Sequence, residues 1–150
     1  MTEPIKLAIL SGAGEEIDLG TSRITIKLSG DDTAGAFALL EFSIPPGGGS
    51  ARHSHSSEAE TFYIHAGSMR FELGGDTLEA AVGSVVHIPC GLAHSFQNAG
   101  PDTCTAVILV TPAGLESYFR ELNRLLQNAP EDIDQAEIAA LSKRYGLDFG

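Results

Sequence analysis

Four side chains, His53, His55, Glu60 and His94, have residue types and a spacing that folding alone does not require and that a metal ion does. Three imidazoles and one carboxylate form a mixed nitrogen–oxygen donor set. Such a set suits Fe(II), Mn(II), Ni(II), Cu(II), Co(II) or Zn(II) better than calcium or magnesium. Around an octahedral ion, four protein ligands leave two positions open for water, substrate or dioxygen. On its own, an H-x-H pair is equally well explained as part of a polar surface strand. Glu60, His94 and the glycines that punctuate both segments move the balance towards a metal.

The elements that must position these groups read as strands. His53 and His55 lie two residues apart, so on a strand both point to one face. Glu60 follows the loop Ser56-Ser57-Glu58-Ala59 and opens the strand Thr61-Phe62-Tyr63-Ile64. His94 follows the turn Pro89-Cys90-Gly91, and a hairpin-rich fold can return it to the same interior. Ile24, Ile26 and Leu28 alternate with Arg23, Thr25 and Lys27, and Met69, Phe71 and Leu73 alternate with Ser68, Arg70 and Glu72. Both are half-buried strand patterns. Longer apolar runs occupy Ala36 to Ile44, Ser84 to Ile88 and Thr103 to Val110. Short strands between Gly, Pro, Asp and Asn turns imply an all-β sandwich or barrel.

Composition changes at Thr111-Pro112, with Pro112 expected at the first helical position. Leu115, Tyr118, Phe119, Leu122, Leu125 and Leu126 form a stripe at helical spacing, which predicts packing against the barrel or at a subunit interface. After Asn128-Ala129-Pro130 a second helix is expected, with Asp134 and Glu137 spaced as a capping box and Gly146 as its stop. The 150 residues are expected to form a single domain, a barrel over about 5–111 and a helical tail over about 112–146.

A net charge of −11, with no lysine or arginine cluster, argues against nucleic acid. No apolar run approaches the roughly 20 residues of a membrane span. Met1-Thr2-Glu3-Pro4 lacks the pattern of a secretory signal. Two cysteines, Cys90 and Cys104, fit a reducing compartment, and a cytoplasmic location is expected.

The residues carry a family resemblance. Gly47, His53, His55, Glu60 and Gly67 match the first motif of the cupins, and Gly83, Pro89, Gly91, His94 and Asn98 match the second. Fifteen residues separate the motifs, which resembles the spacing of compact single-domain microbial cupins. The resemblance implies a double-stranded β-helix, or jelly-roll, barrel with a two-helix C-terminal extension. It implies His53, His55, Glu60 and His94 as ligands of one divalent first-row ion, with Asn98 a structural residue of the barrel interior. Small cupins are commonly dimers, so a homodimer is expected. The start of the tail, Thr111-Pro112-Ala113-Gly114-Leu115, is similar to that of cupins described as quercetin-dioxygenase-like.

Phe62, Ile64, Phe71 and Phe96 are candidates for an apolar pocket lining, with core packing as the alternative. His65 is out of phase with Glu60 and is expected on the opposite face. His87 either orients a ligand or is a satisfied core histidine. Glu58, the rival carboxylate, is expected to be a solvated loop charge, and Cys90 a turn-packing residue. Gly47-Gly48-Gly49 reads as a mobile rim or as a tight turn. Arg52 alternates away from His53 and is a weak candidate for an anionic substrate. The leading function is a metal-dependent dioxygenase of a small phenolic or enolic substrate, with Glu60 as ligand or general base. A metal-assisted isomerase, cyclase or dehydratase of a sugar or polyketide intermediate is the second reading. A non-catalytic module that binds a small ligand is the third.

Overall fold

A computed structural model describes residues 6–128 and 134–150. The expected start of the barrel near residue 5, the Met1–Pro4 segment and the Ala129-Pro130 break between the helices lie outside the described residues. The strands, in chain order, are β1 (Glu15–Asp18), β2 (Arg23–Leu28), β3 (Ala38–Ile44), β4 (Ser54–His55), β5 (Ala59–Ala66), β6 (Met69–Leu73), β7 (Asp76–Ala80), β8 (Val85–Ile88), β9 (His94–Gln97) and β10 (Cys104–Thr111). Helices α1 (Leu115–Asn128) and α2 (Gln135–Arg144) follow, and then a last short strand, β11 (Leu147–Asp148).

Alternation along these strands sorts the side chains. On β3, Ala38, Leu40, Phe42 and Ile44 are buried, while the residues between them are not. β10 does the same with Cys104, Ala106, Ile108 and Val110, and β5 with Glu60, Phe62 and Ile64. A period of two puts one face of each strand inside and the other towards solvent. The large sheet runs β1-β2-β3-β10-β5-β8, and a small sheet runs β7-β6-β9. Every pairing is antiparallel. Phe42, Phe62, Phe71 and Phe96 meet in the interior, with Phe62 at 5.2 Å from Phe71 and 5.4 Å from Phe96 between ring centroids. The result is an all-β jelly-roll barrel with helices at its C-terminal end.

Two features of the tail depart from the sequence reading. Pro112 is not the first helical residue, because α1 starts three residues later. Gly114 has φ +148°, outside the helical region, so the chain turns there before it can coil. Glu116 then ties the helix start to the barrel, its carboxylate accepting from Gly30 N at 2.5 Å and Gly114 N at 2.6 Å. The chain also does not stop being useful at Gly146, where φ is +75°. It reverses and adds β11 beside β4, pairing Leu147 with His55 and Asp148 with Ser54. The capping role at α2 falls to Asp134, whose carboxylate accepts from Ala136 N at 2.9 Å.

The apolar stripe of α1 packs as its spacing predicts. Leu115 and Tyr118 are buried, Phe119 reaches Phe42 at 5.7 Å between centroids, and Tyr118 Oη meets Ser142 Oγ of α2 at 3.1 Å. Arg120 adds an ion pair to Glu15 of β1 at 2.9 Å.

Candidate metal centre

The two motif segments are bonded to each other at the histidines. His53 N donates to His94 O at 2.9 Å, and His94 N donates to His53 O at 2.8 Å. Gly91, in the turn before His94, donates its N–H to His55 O at 2.8 Å. The outer ends of the motifs close in the same way, with Gly47 N donating to Asn98 O and Asn98 N donating to Gly48 O. Asn98 is buried, and its amide donates to Ile44 O and Asp102 O while accepting from Gly100 N. This is the interior structural role that the motif implied for it.

The Gly47-Gly48-Gly49 segment is a tight turn pressed between two strands. A Cβ on Gly48 would run into Thr21 O, and one on Gly49 into Phe96 O. Glycine is the residue that permits this approach.

Glu60 sits on β5 between Val110 of β10 and Ile88 of β8. Period-two alternation sends its carboxylate inward beside the imidazoles. Four donor atoms, one each from His53, His55, Glu60 and His94, lie within 4.8 Å of one another, and all four residues are buried. His53 Nδ1 lies 2.7 Å from Ala51 O, and His94 Nδ1 lies 2.9 Å from Leu92 O. A carbonyl only accepts, so both rings carry the proton on Nδ1 and turn the lone pair of Nε2 into the cluster. There His94 Nε2 is buried with no hydrogen-bond partner among the described residues. His53 Nε2 and His55 Nε2 are 3.1 Å apart, and His55 Nε2 is 2.5 Å from Glu60 Oε1. Converging lone pairs with an unpartnered nitrogen fit a cation at the centre, and the nitrogen–oxygen donor set fits a first-row transition ion.

The electrostatics follow from burial and from these contacts. Burial pushes the His53 imidazole down to about 4, and it also lowers His94, so both rings are neutral at pH 7. Burial would lower His55 too, but its hydrogen bond to Glu60 and the charges of Glu60 and Glu58 outweigh that and raise it. Burial would raise Glu60, but the His55 hydrogen bond and the neighbouring imidazoles prevail and hold it low. His55 and Glu60 are thus coupled, each shifted by the other across a 2.5 Å contact.

Beside the cluster lies a cavity of about 130 Å³. Phe96 is on its wall with His53, His55 and Glu60. Phe62, Ile64 and Phe71 are fully buried and lie outside its lining. Phe62 and Ile64 share the inward phase of Glu60 but sit further along β5, and Phe71 faces inward from β6 of the small sheet. The rest of the lining is shared between the barrel, with Ile24, Phe42 and Ser50 among its residues, and the tail, with Leu115, Tyr118, Phe119 and Leu122 of α1 and Leu147 and Phe149 beyond α2. The stripe on α1 was legible in the sequence, but not that it would face the histidines. Phe149 had no pattern to announce it.

Glu58 corrects the sequence reading. It is 6% exposed rather than a solvated loop charge, with Oε1 4.0 Å from His55 Nδ1. Burial raises its pKa. The short loop from β4 to β5 has no slack to carry it outward. His87 is on the outer face of the large sheet, 2.8 Å from Thr61 Oγ1, so it is neither a ligand-orienting group nor a core residue. His65 is also on that face, 3.7 Å from Glu41. Arg52 is exposed and donates to Gly74 O at 3.0 Å. Cys90 Sγ packs at the turn, 3.0 Å from Ser56 O.

The family model for the Cupin domain matches residues 40–111. Over 112 residues the chain is 29% identical to a quercetin 2,3-dioxygenase from Bacillus subtilis, covering 75% of this chain and 33% of that protein. The chain thus spans about a third of the length of that relative. An RmlC-like cupin from Shewanella frigidimarina superposes with a TM-score of 0.64 at 13% identity, covering 75% of this chain and 96% of that one. A putative sugar phosphate isomerase from Acidithiobacillus ferrooxidans superposes with a TM-score of 0.51 at 27% identity, covering 59% of each chain.

Proposed function

We propose that this chain, which belongs to the cupin superfamily, is a metal-dependent dioxygenase acting on a small phenolic or enolic molecule. The observation that carries the reading is the convergence of four buried donor groups on the wall of a largely apolar cavity. Likeness to a quercetin 2,3-dioxygenase supports the oxidative chemistry. His53, His55, Glu60 and His94 would hold the ion. A bound first-row ion supplies Lewis acidity and a route for electrons between substrate and dioxygen.

The protein's own residues do the rest. The carbonyls of Ala51 and Leu92 keep His53 and His94 in the tautomer that presents Nε2. Glu60 is the catalytic base. Kept ionised beside a cation, it would accept the hydroxyl proton of the phenol or enol on a carboxylate oxygen and leave the substrate as an electron-rich oxyanion. The aromatic and leucine walls keep water from that oxyanion, so its charge stays available for reaction with dioxygen.

The test is oxygen uptake by protein loaded in turn with Fe, Mn, Co, Ni, Cu and Zn, against a panel of diketones and flavonols. Uptake matched to substrate loss, and absent in Glu60→Gln, is the expected result. Uptake with none of them favours the second reading, in which the ion acts as a Lewis acid for an isomerisation, cyclisation or dehydration. The likeness to a putative sugar phosphate isomerase supports that alternative, and turnover under argon would separate the two. Binding without any turnover would leave a small-ligand module.

A cytoplasmic location belongs to the same proposal. So does a homodimer formed by joining sheet edges between subunits, which would cover strand edges that are otherwise open. Sedimentation velocity checks the dimer. No helix among the described residues is long and apolar enough to cross a membrane.

A further inference from the structure

The cavity has two unlike sides. On the barrel side it meets the donor atoms, and on the tail side it meets Leu115, Phe119, Leu122 and Phe149. Its volume of about 130 Å³ is close to that of a cavity of about 150 Å³ known to take up benzene, which is one ring's worth of space. Among the described residues no lysine or arginine lines it, and Glu60 is its one acidic residue. Away from the metal end the walls are mostly apolar, and their hydroxyls, from Thr21, Ser22 and Ser50, are neutral, so a negative charge there would have no counter-ion, at a cost of several kcal/mol.

Phe149 occupies the decisive place. Its ring stands 5.5 Å from that of His53, yet the residue is 51% exposed. On its outer side is a separate hollow lined by Arg52, Ser54, Ala93 and Asp148. Phe149 is therefore the partition between the inner cavity and solvent. The segment that carries it is held by the buried Leu147, a two-residue ladder from β11 to β4 and a bond from Ser56 N to Gly146 O at 2.9 Å.

We propose that the site selects a compact molecule, acyclic or of one ring, that presents a single ionisable oxygen and carries no second anionic group, with Phe149 setting the upper size. This rests on the metal-site reading above, deepens its substrate class, and separates this chain from enzymes of phosphorylated sugars or multi-ring flavonols.

The experiment uses the full chain loaded with Co(II), whose visible absorption changes when a new ligand joins the ion. Acetylacetone and tropolone, each with one ionisable oxygen, are titrated beside quercetin and 5-sulfotropolone, which adds a remote anionic group, with wild type and with Phe149→Ala and Phe149→Trp. Wild type is expected to bind acetylacetone and tropolone at least about tenfold more tightly than quercetin or 5-sulfotropolone. Phe149→Ala should close most of the gap for quercetin while leaving 5-sulfotropolone weak, and Phe149→Trp should weaken tropolone more than acetylacetone. Quercetin or 5-sulfotropolone binding as tightly as acetylacetone to wild type would overturn the proposal. So would an acetylacetone-to-quercetin ratio that neither variant moves. If wild type takes up no cobalt, or His94→Ala keeps it, the metal-site reading fails and this inference with it. Cobalt bound through His94 without the selectivity fails the inference alone.

Discussion

At the barrel end, His53 and His94 exchange two backbone hydrogen bonds and Gly91 donates to His55 O. Across the cavity, Leu115, Phe119 and Phe149 face these histidines through side-chain contacts and a two-residue ladder. The donor side is positioned by backbone, whose geometry tolerates little variation. The facing side is positioned by packing, which accepts other shapes at modest cost. A fold arranged in this way could keep its donor cluster while the wall opposite changes, since the candidate ligands and the facing residues come from separate stretches of chain.

The comparison breaks most visibly if the donor side is emptied. His94→Ala and Glu60→Ala proteins are expected to fold but to lose metal, with affinity falling by more than about a hundredfold, because lesser changes around metal ligands already cost 10–100-fold. Elemental analysis of protein purified without added metal reads this directly. Stoichiometric metal in both variants would mean that other residues are the ligands.

On the facing side, Leu115→Ala removes a buried side chain at the base of α1. It should cost about 2–5 kcal/mol in denaturant unfolding while leaving metal affinity within about twofold. An equal loss of metal affinity would show that the tail and the ligand strands act as one unit.

Acid sharpens the contrast within the donor side itself. His53 has its ordinary value of 6.5 in the unfolded chain and about 4 when buried, so below pH 6.5 the unfolded chain takes up a proton that the folded one refuses. Its contribution to stability is full above pH 6.5 and is lost as pH falls towards about 4. His94 is lowered and acts in the same sense. His55 is raised and acts oppositely, its contribution present in acid and lost as pH climbs through its raised value. Metal-free His53→Gln protein should therefore lose less stability than wild type between pH 6.5 and 5. Parallel curves of denaturation midpoint against pH would remove this account.

The smallest effects belong to the outer face. His65→Ala and His87→Ala should each change stability by no more than about 0.5 kcal/mol and leave bound metal unaltered. Metal loss in either would place an outward histidine in the centre, against the geometry.

Strands and the clustered donor groups were legible because each rests on a local rule. Alternation marked β2 and β6, apolar runs marked β3, β8 and β10, and the paired motifs marked the four residues that the fold brings together. Glu58 was misread because burial depends on where a loop lies, and a carboxylate beside two serines looks solvated in one dimension. Phe62 and Ile64 share a phase with Glu60, but phase tells which face a residue is on and not how far along the barrel it lies. β4 and β11 are two residues each, too short to show any period, and they join partners some ninety residues apart.

What the amino-acid order determined alone was the donor set and the barrel. A histidine's chemistry and a strand's alternation are carried by neighbours in the chain. What only the tertiary structure decided was the shape of the space the donors face. That space is enclosed by β11, α1 and Phe149, brought there by contacts between residues far apart in sequence, and such contacts leave no periodic trace in any one segment.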